Sequence, residues 1–152
     1  MKNFLNKLKE IPNELFFVFT AFITPIAPLL LTVGAFIGFD TLTGIMKAYK
    51  KGGWKAINSK DASQFISKSV LYVSAVILFY TLETFIVGDF LVLLISVKYF
   101  LTKVIATTLC IIELKSIDEN YTDMYGYSIW SRFKDILRRA KETKEEIKEL
   151  VE

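Results

Sequence analysis

Charged residues leave this chain for long stretches and return in short bursts, and that alternation predicts its architecture. From Leu15 to Phe39 there is no charged side chain. At about 1.5 Å per helical residue this stretch is long enough to cross a hydrocarbon core of roughly 30 Å. An unpaired backbone amide finds no water there, so the segment is expected to be helical. A second apolar run extends from about Ile66 to Gly88 and a third from Phe90 to Ile112. Three such runs in 152 residues predict an all-α membrane protein with three transmembrane helices, not the buried helix of a soluble domain. The transmembrane part is expected over residues 15–113, with spans at about 15–46, 66–88 and 90–113.

The flanks read differently. In residues 1–14, Phe4, Leu5, Leu8 and Ile11 recur at helical spacing among lysines. That is the pattern of a short amphipathic helix on a membrane surface, ending at Pro12, or of an arm that stays frayed until docked. Residues 114–152 form a helical tail. From Ser128 on, Ile129, Phe133, Ile136, Leu137, Ala140, Ile147 and Leu150 share one face and charges fill the other. The pattern suits a helix on a surface or in a bundle better than a short coiled coil.

Inside the spans, polar and small residues mark special places. Pro25 and Pro28 each remove a helix donor, which predicts a kink in the first span. Gly34 and Gly38 form a GxxxG motif, and Ala27, Gly34, Thr41 and Ala48 recur every seven residues. Such a face lets a second helix come close, within the chain or from another copy, although GxxxG also arises by chance in apolar sequence. Ser67, Ser74, Thr81 and Gly88 make a similar stripe in the second span. Gly88-Asp89 reads as a tight turn that makes spans two and three antiparallel neighbours.

The third span carries Lys98 and Lys103, each worth roughly 2.5–3.5 kcal/mol against insertion if central. Tyr99, Thr102, Lys103, Ala106, Cys110 and Glu113 lie along one side, so that side is expected to face helices or water. Glu83 is the expected partner of Lys98, unless it snorkels or is protonated. Lys103 is expected deeper, beside Ser74 or the Gly34/Gly38 face.

Orientation follows the loop from Lys47 to Lys68, which holds six lysines against Asp61 and an interfacial Trp54. Its charge places it in the cytoplasm, with the C-terminus beside it and the N-terminus outside. Composition narrows function further. Hydrophobic residues make up 53% and mean hydropathy is +0.40, high for a soluble domain. A net charge of +3, confined to the ends and one loop, does not point to nucleic acid. Without histidine there is no HExxH site, no Cys/His zinc cluster and no His-activated nucleophile. The one cysteine, Cys110, forms no internal disulfide. No enzyme is expected, and no cofactor or metal site. The N-terminal run is too long for a cleavable signal and lacks a small-residue cleavage site.

Two segments resemble a known family. Asp40-Thr41-Leu42-Thr43-Gly44-Ile45, followed by a lysine-rich loop, is similar to the D-x-x-T-G signature of the small bacteriophage holins of the toxin-secretion/phage-lysis type. Glu113-Leu114-Lys115-Ser116-Ile117-Asp118-Glu119-Asn120 is similar to that family's E-x-x-S-I-x-E-N segment. Ser59-Lys60 and Lys68 also sit as they do there. The resemblance covers roughly residues 30–140. It implies a protein of the host cytoplasmic membrane that associates with itself and opens holes releasing an endolysin, with no obligatory direct contact to that partner. The longer N-terminal arm with Pro25 and Pro28, and the more highly charged C-terminal helix, depart from the pattern. Two other classes fit the residues alone: a small membrane scaffold recruiting a cytoplasmic partner through its tail, and a narrow ion channel. The residues expected to matter for helix packing or a pore are Gly34, Gly38, Asp40, Gly44, Glu83, Lys98, Lys103 and Glu113.

Overall fold

The computed structural model describes the backbone of residues 2–56 and 59–151 and the side chains of residues 13–56 and 63–143. The described residues are helical almost throughout and contain no strand. Helix α1, Lys2–Ile23, is followed by a 3₁₀ turn, Thr24–Ile26, that contains Pro25. Helix α2 is Ala27–Gly52, and a second 3₁₀ turn, Gly53–Ala56, ends it, with Gly53 at φ 67°. Helix α3, Ser59–Leu82, continues through a π turn, Glu83–Val87, into α4, Gly88–Leu94. Helices α5, Phe100–Tyr125, and α6, Ile129–Val151, complete the chain.

Two stretches are long and apolar enough to cross a membrane, Asn13–Ala56 and Ser63–Leu94. Threonines within and beyond them are satisfied locally. Thr20, Thr24, Thr32, Thr41, Thr81 and Thr108 each donate the side-chain hydroxyl to the carbonyl four residues back, at 2.7–2.9 Å. That bond lets a polar side chain sit in an apolar helix without a distant partner.

Two expected boundaries fall elsewhere. The N-terminal helix does not end at Pro12; α1 runs through it. A proline removes a single donor from the ladder, and here the helix tolerates that loss. The side chains of Phe4, Leu5, Leu8 and Ile11 lie outside the described residues. The turn expected at Gly88-Asp89 is absent as well, since Gly88 is helical at φ −56°, ψ −45°. The glycine serves the π turn instead. A Cβ at position 88 would come within 2.5 Å of the Glu83 carbonyl oxygen, five residues back, where the wider turn brings that oxygen inward. The real break lies at residues 95–99, where Ile95 turns extended and Tyr99 takes a left-handed φ of 57° before α5 begins.

Burial follows helical spacing. α2 buries Val33, Ile37 and Asp40; α3 and its π turn bury Tyr72, Val76, Tyr80 and Glu83; α5 buries Thr102, Ala106, Leu109 and Glu113. Each buried stripe includes a carboxylate. The rest of the surface is inverted relative to a water-soluble protein. Large apolar side chains such as Phe17, Leu31, Leu78, Leu93 (84% exposed) and Leu94 (81%) point outward, and such exposures outnumber the buried apolar residues among those described. In water so large an apolar surface would aggregate; against lipid it is the expected exterior.

The chain divides into two compact units, residues 1–35 with 70–109, and residues 36–69 with 110–152. In the first, Phe22 packs on Tyr80 with ring centroids 5.0 Å apart, and Tyr80 meets Tyr99 edge-on at 5.3 Å. The second holds the polar network described next.

Candidate functional site

The two signature-like segments meet each other in the second unit. On α2, Asp40, Thr43, Gly44 and Lys47 fall three, four and seven residues apart, along one helical side. On α5, Ser116, Asn120 and Asp123 follow Glu113 by three, seven and ten residues, again along one side. Lys68, near the start of the second apolar run, reaches between them. Its Nζ lies 2.6 Å from Asp40 Oδ2 and 3.0 Å from Glu113 Oε2. Both carboxylates are buried, Glu113 to 0% exposure.

Asn120 extends the network outward. Its amide donates to Asp40 Oδ1 at 3.2 Å and to Thr43 Oγ1 at 3.3 Å, and its carbonyl oxygen accepts from Lys47 Nζ at 2.9 Å. Lys47 also pairs with Asp123 at 3.0 Å, and Lys51 joins that carboxylate at 3.5 Å. Lys50 donates to the Met124 carbonyl and stands 4.0 Å from the centroid of the Tyr125 ring. Asp40, Glu113 and Asp123 thus face Lys47, Lys51 and Lys68. Each of these three acids has a lysine within 3.0 Å, the pairing that a buried acid requires.

Gly44 belongs to the same contact. A Cβ there would lie 3.8 Å from Asn120 Nδ2, an ordinary contact, so the glycine is not sterically compelled. An open recess of about 730 Å³ adjoins the network, lined by Asp40, Gly44, Lys47, Lys68, Ser116 and Asn120. Its polar groups are the Asp40 carboxylate, lysine ammonium groups, hydroxyls and two side-chain amides. They can pair charge and hold α2, α3 and α5 in register.

A second carboxylate site lies in the first unit. Glu83 Oε2 accepts from the Thr102 amide at 3.0 Å and from Thr102 Oγ1 at 2.7 Å, and its Oε1 accepts from the Leu101 amide at 3.3 Å. These are the free donors of the first turn of α5, and an anion there is also favoured by the helix dipole. Thr102 is fully buried.

Of the expected site residues, Asp40, Gly44 and Glu113 come together in one cluster. Glu83 is buried as a helix cap and not as the partner of Lys98. The physical reason is the break at 95–99, which brings the first amides of α5 to Glu83. Lys98 is exposed, its Nζ 4.9 Å from the Tyr99 ring centroid. Lys103 is exposed too. Gly34 and Gly38 face open space among the described residues, with nothing beyond their own helix backbone and chain neighbours within 4 Å of a Cβ at either position. Lys68 and Asn120 stand in the sequence as parts of the family resemblance and Lys47 as the start of the basic loop, but their pairing with Asp40, Glu113 and Asp123 is not read from it. The signal was present in the sequence: Lys68 is the lysine nearest the second apolar run, and Asn120 follows Glu113 by seven residues.

Residues 17–142 match the family model described as the bacteriophage holin family. No curated protein and no solved structure matches the chain.

Proposed function

We infer the function of this chain from the bacteriophage holin family, to which it belongs: it assembles in the host cytoplasmic membrane and opens holes through which an endolysin reaches the cell wall. The observation that carries the reading is the buried Asp40–Lys68–Glu113 cluster inside a chain whose exterior is apolar. Such a cluster ties helices together without satisfying lipid, and the chain's remaining polar features are left for assembly. Lys98 and Lys103 are exposed charges that need water or another copy in the assembled state. Gly34 and Gly38 offer an open face on which a second copy can approach closely.

In this reading the chain crosses three times, with α5 as the third crossing and Pro25 and Pro28 bending the first. The lysine-rich loop and the C-terminus are cytoplasmic and the N-terminus is outside. The test is expression in bacteria with an endolysin while membrane potential and cell density are followed. The expected result is accumulation without damage, then abrupt loss of potential and endolysin-dependent lysis. Loss of potential with the endolysin still retained inside would mean a narrow channel. Accumulation with neither event would overturn the pore reading altogether.

A further inference from the structure

The amphipathic stripe of α6 is uncovered. Ile129, Trp130, Phe133, Ile136 and Leu137 are all exposed, Ile136 to 63%, and Ala140 with them. At about 100° per residue these six positions form one continuous arc of the helix. The charges are placed around that arc in a definite order. Arg132 and Arg139 border it on one side, Lys134 and Lys141 on the other. Asp135, Arg138 and Glu142 lie on the far side, away from the apolar arc, where Arg138 pairs with both acids at 3.4 and 3.8 Å.

We propose that α6 lies on the surface of the bilayer in which the chain resides, its apolar stripe between anionic lipid headgroups and its basic borders on their phosphates. The inference rests on the chain being a membrane protein but not on hole formation. The charge order favours this occupant. Basic residues at both borders reach lipid phosphates while the acids point to water. Against a second copy of α6 the same borders would face each other, arginine and lysine against arginine and lysine, where a paired helix needs opposite charges.

The start of α6 is held at a suitable height. Gly126, at φ 78°, breaks the helix after α5. Asp118 on α5 then accepts from Ser128 Oγ at 2.7 Å and from the Ile129 amide at 2.7 Å, and Ser128 Oγ accepts from the Trp130 amide at 3.0 Å. Asp118 stands five residues past Glu113, about 8 Å along the helix, where the apolar run has ended. A headgroup layer is of about that depth. Arg132 is 4.3 Å from the Tyr127 ring centroid, beside this same turn.

The experiment uses the full chain with Trp54→Phe, so that Trp130 is its one tryptophan, reconstituted in phosphatidylcholine vesicles with or without phosphatidylglycerol. Lipids brominated near the headgroup report contact. With phosphatidylglycerol, Trp130 emission is expected to shift to the blue and lose most of its intensity to the brominated lipid. Replacing Arg132, Lys134, Arg139 and Lys141 by glutamine should abolish that quenching, at about fivefold in the docked-to-free ratio per charge.

Water-like Trp130 emission in vesicles that carry the chain on flotation would overturn the proposal and leave the membrane assignment standing. Quenching equal in both lipid compositions would overturn its anionic part. Interchain disulfides at Ile136→Cys, in a Cys110→Ser background, would overturn it in favour of a second copy. A chain that does not float with vesicles would fail the membrane assignment itself.

Discussion

Lys68 answers two buried carboxylates with one ammonium group, so its removal and the removal of one acid are not equivalent. Lys68→Met leaves Asp40 and Glu113 uncompensated and is expected to destabilise by about 3–5 kcal/mol. Glu113→Gln keeps an acceptor for Lys68 and should cost less. Thermal denaturation of the detergent-solubilised variants checks the order, and equal losses would mean that Lys68 does not bridge the pair. Asp123 makes a pH prediction. The hydrogen bond from Lys47, reinforced by the charges of Lys47 and Lys51, holds its carboxyl below the usual value. The unfolded value is about 3.9. The folded form therefore gains from this pair above pH about 4 and loses the gain as pH falls through the lowered value. The difference in Tm between the parent and Asp123→Asn should be flat from neutral pH to about 4 and close below it. A difference that persists in stronger acid would show that the pair is not its source.

At the scale of elements, Gly88 and Gly34 are glycines with opposite surroundings. Gly88→Ala places a Cβ against a backbone carbonyl that cannot swing aside, so the π turn must shift, at a cost of about 1–3 kcal/mol. Because Glu83 opens that turn and caps α5, the variant should also loosen the start of α5, which amide hydrogen exchange at Leu101 and Thr102 reads directly. Unchanged exchange there would separate the glycine from the cap. A Cβ at Gly34 points into space free of other described residues, so Gly34→Leu should fold normally. If the face serves contact between copies, Gly34→Leu alters the ladder of cross-linked species in membranes and shifts lysis onset. An unchanged ladder and an unchanged onset would make the motif incidental.

At the scale of the molecule, the topology proposal makes the start of α3 and the tail helix α6 cytoplasmic together. In a Cys110→Ser background, single cysteines at Ser63 and Thr143 should both be protected from impermeant thiol reagents added to intact cells. They should become reactive once the cells are opened. Labelling of either from outside would remove the three-crossing arrangement with its N-terminus out. Positions 63 and 143 avoid Ser128, whose hydroxyl is engaged with Asp118.

What the sequence by itself determined was the helical class, the membrane setting and the residues that carry the family resemblance. These depend on runs of like residues, and hydrophobic length is a local property that survives any arrangement of the helices. Asp40 and Glu113 stood out for the same reason, as charges at the ends of apolar runs. Only the tertiary structure decided what those charges do. Lys68 is 28 residues from Asp40 and 45 from Glu113 in sequence, and no periodicity encodes that meeting. The same limit explains Glu83. Chain order favoured a lysine partner across a short turn, but the helix ran on through Gly88, and the nearest donors became the unpaired amides of α5. A glycine reads as a turn when only its freedom is considered. The Glu83 carbonyl pressing against it, which shows that the glycine is needed for space, exists only once the π turn has formed.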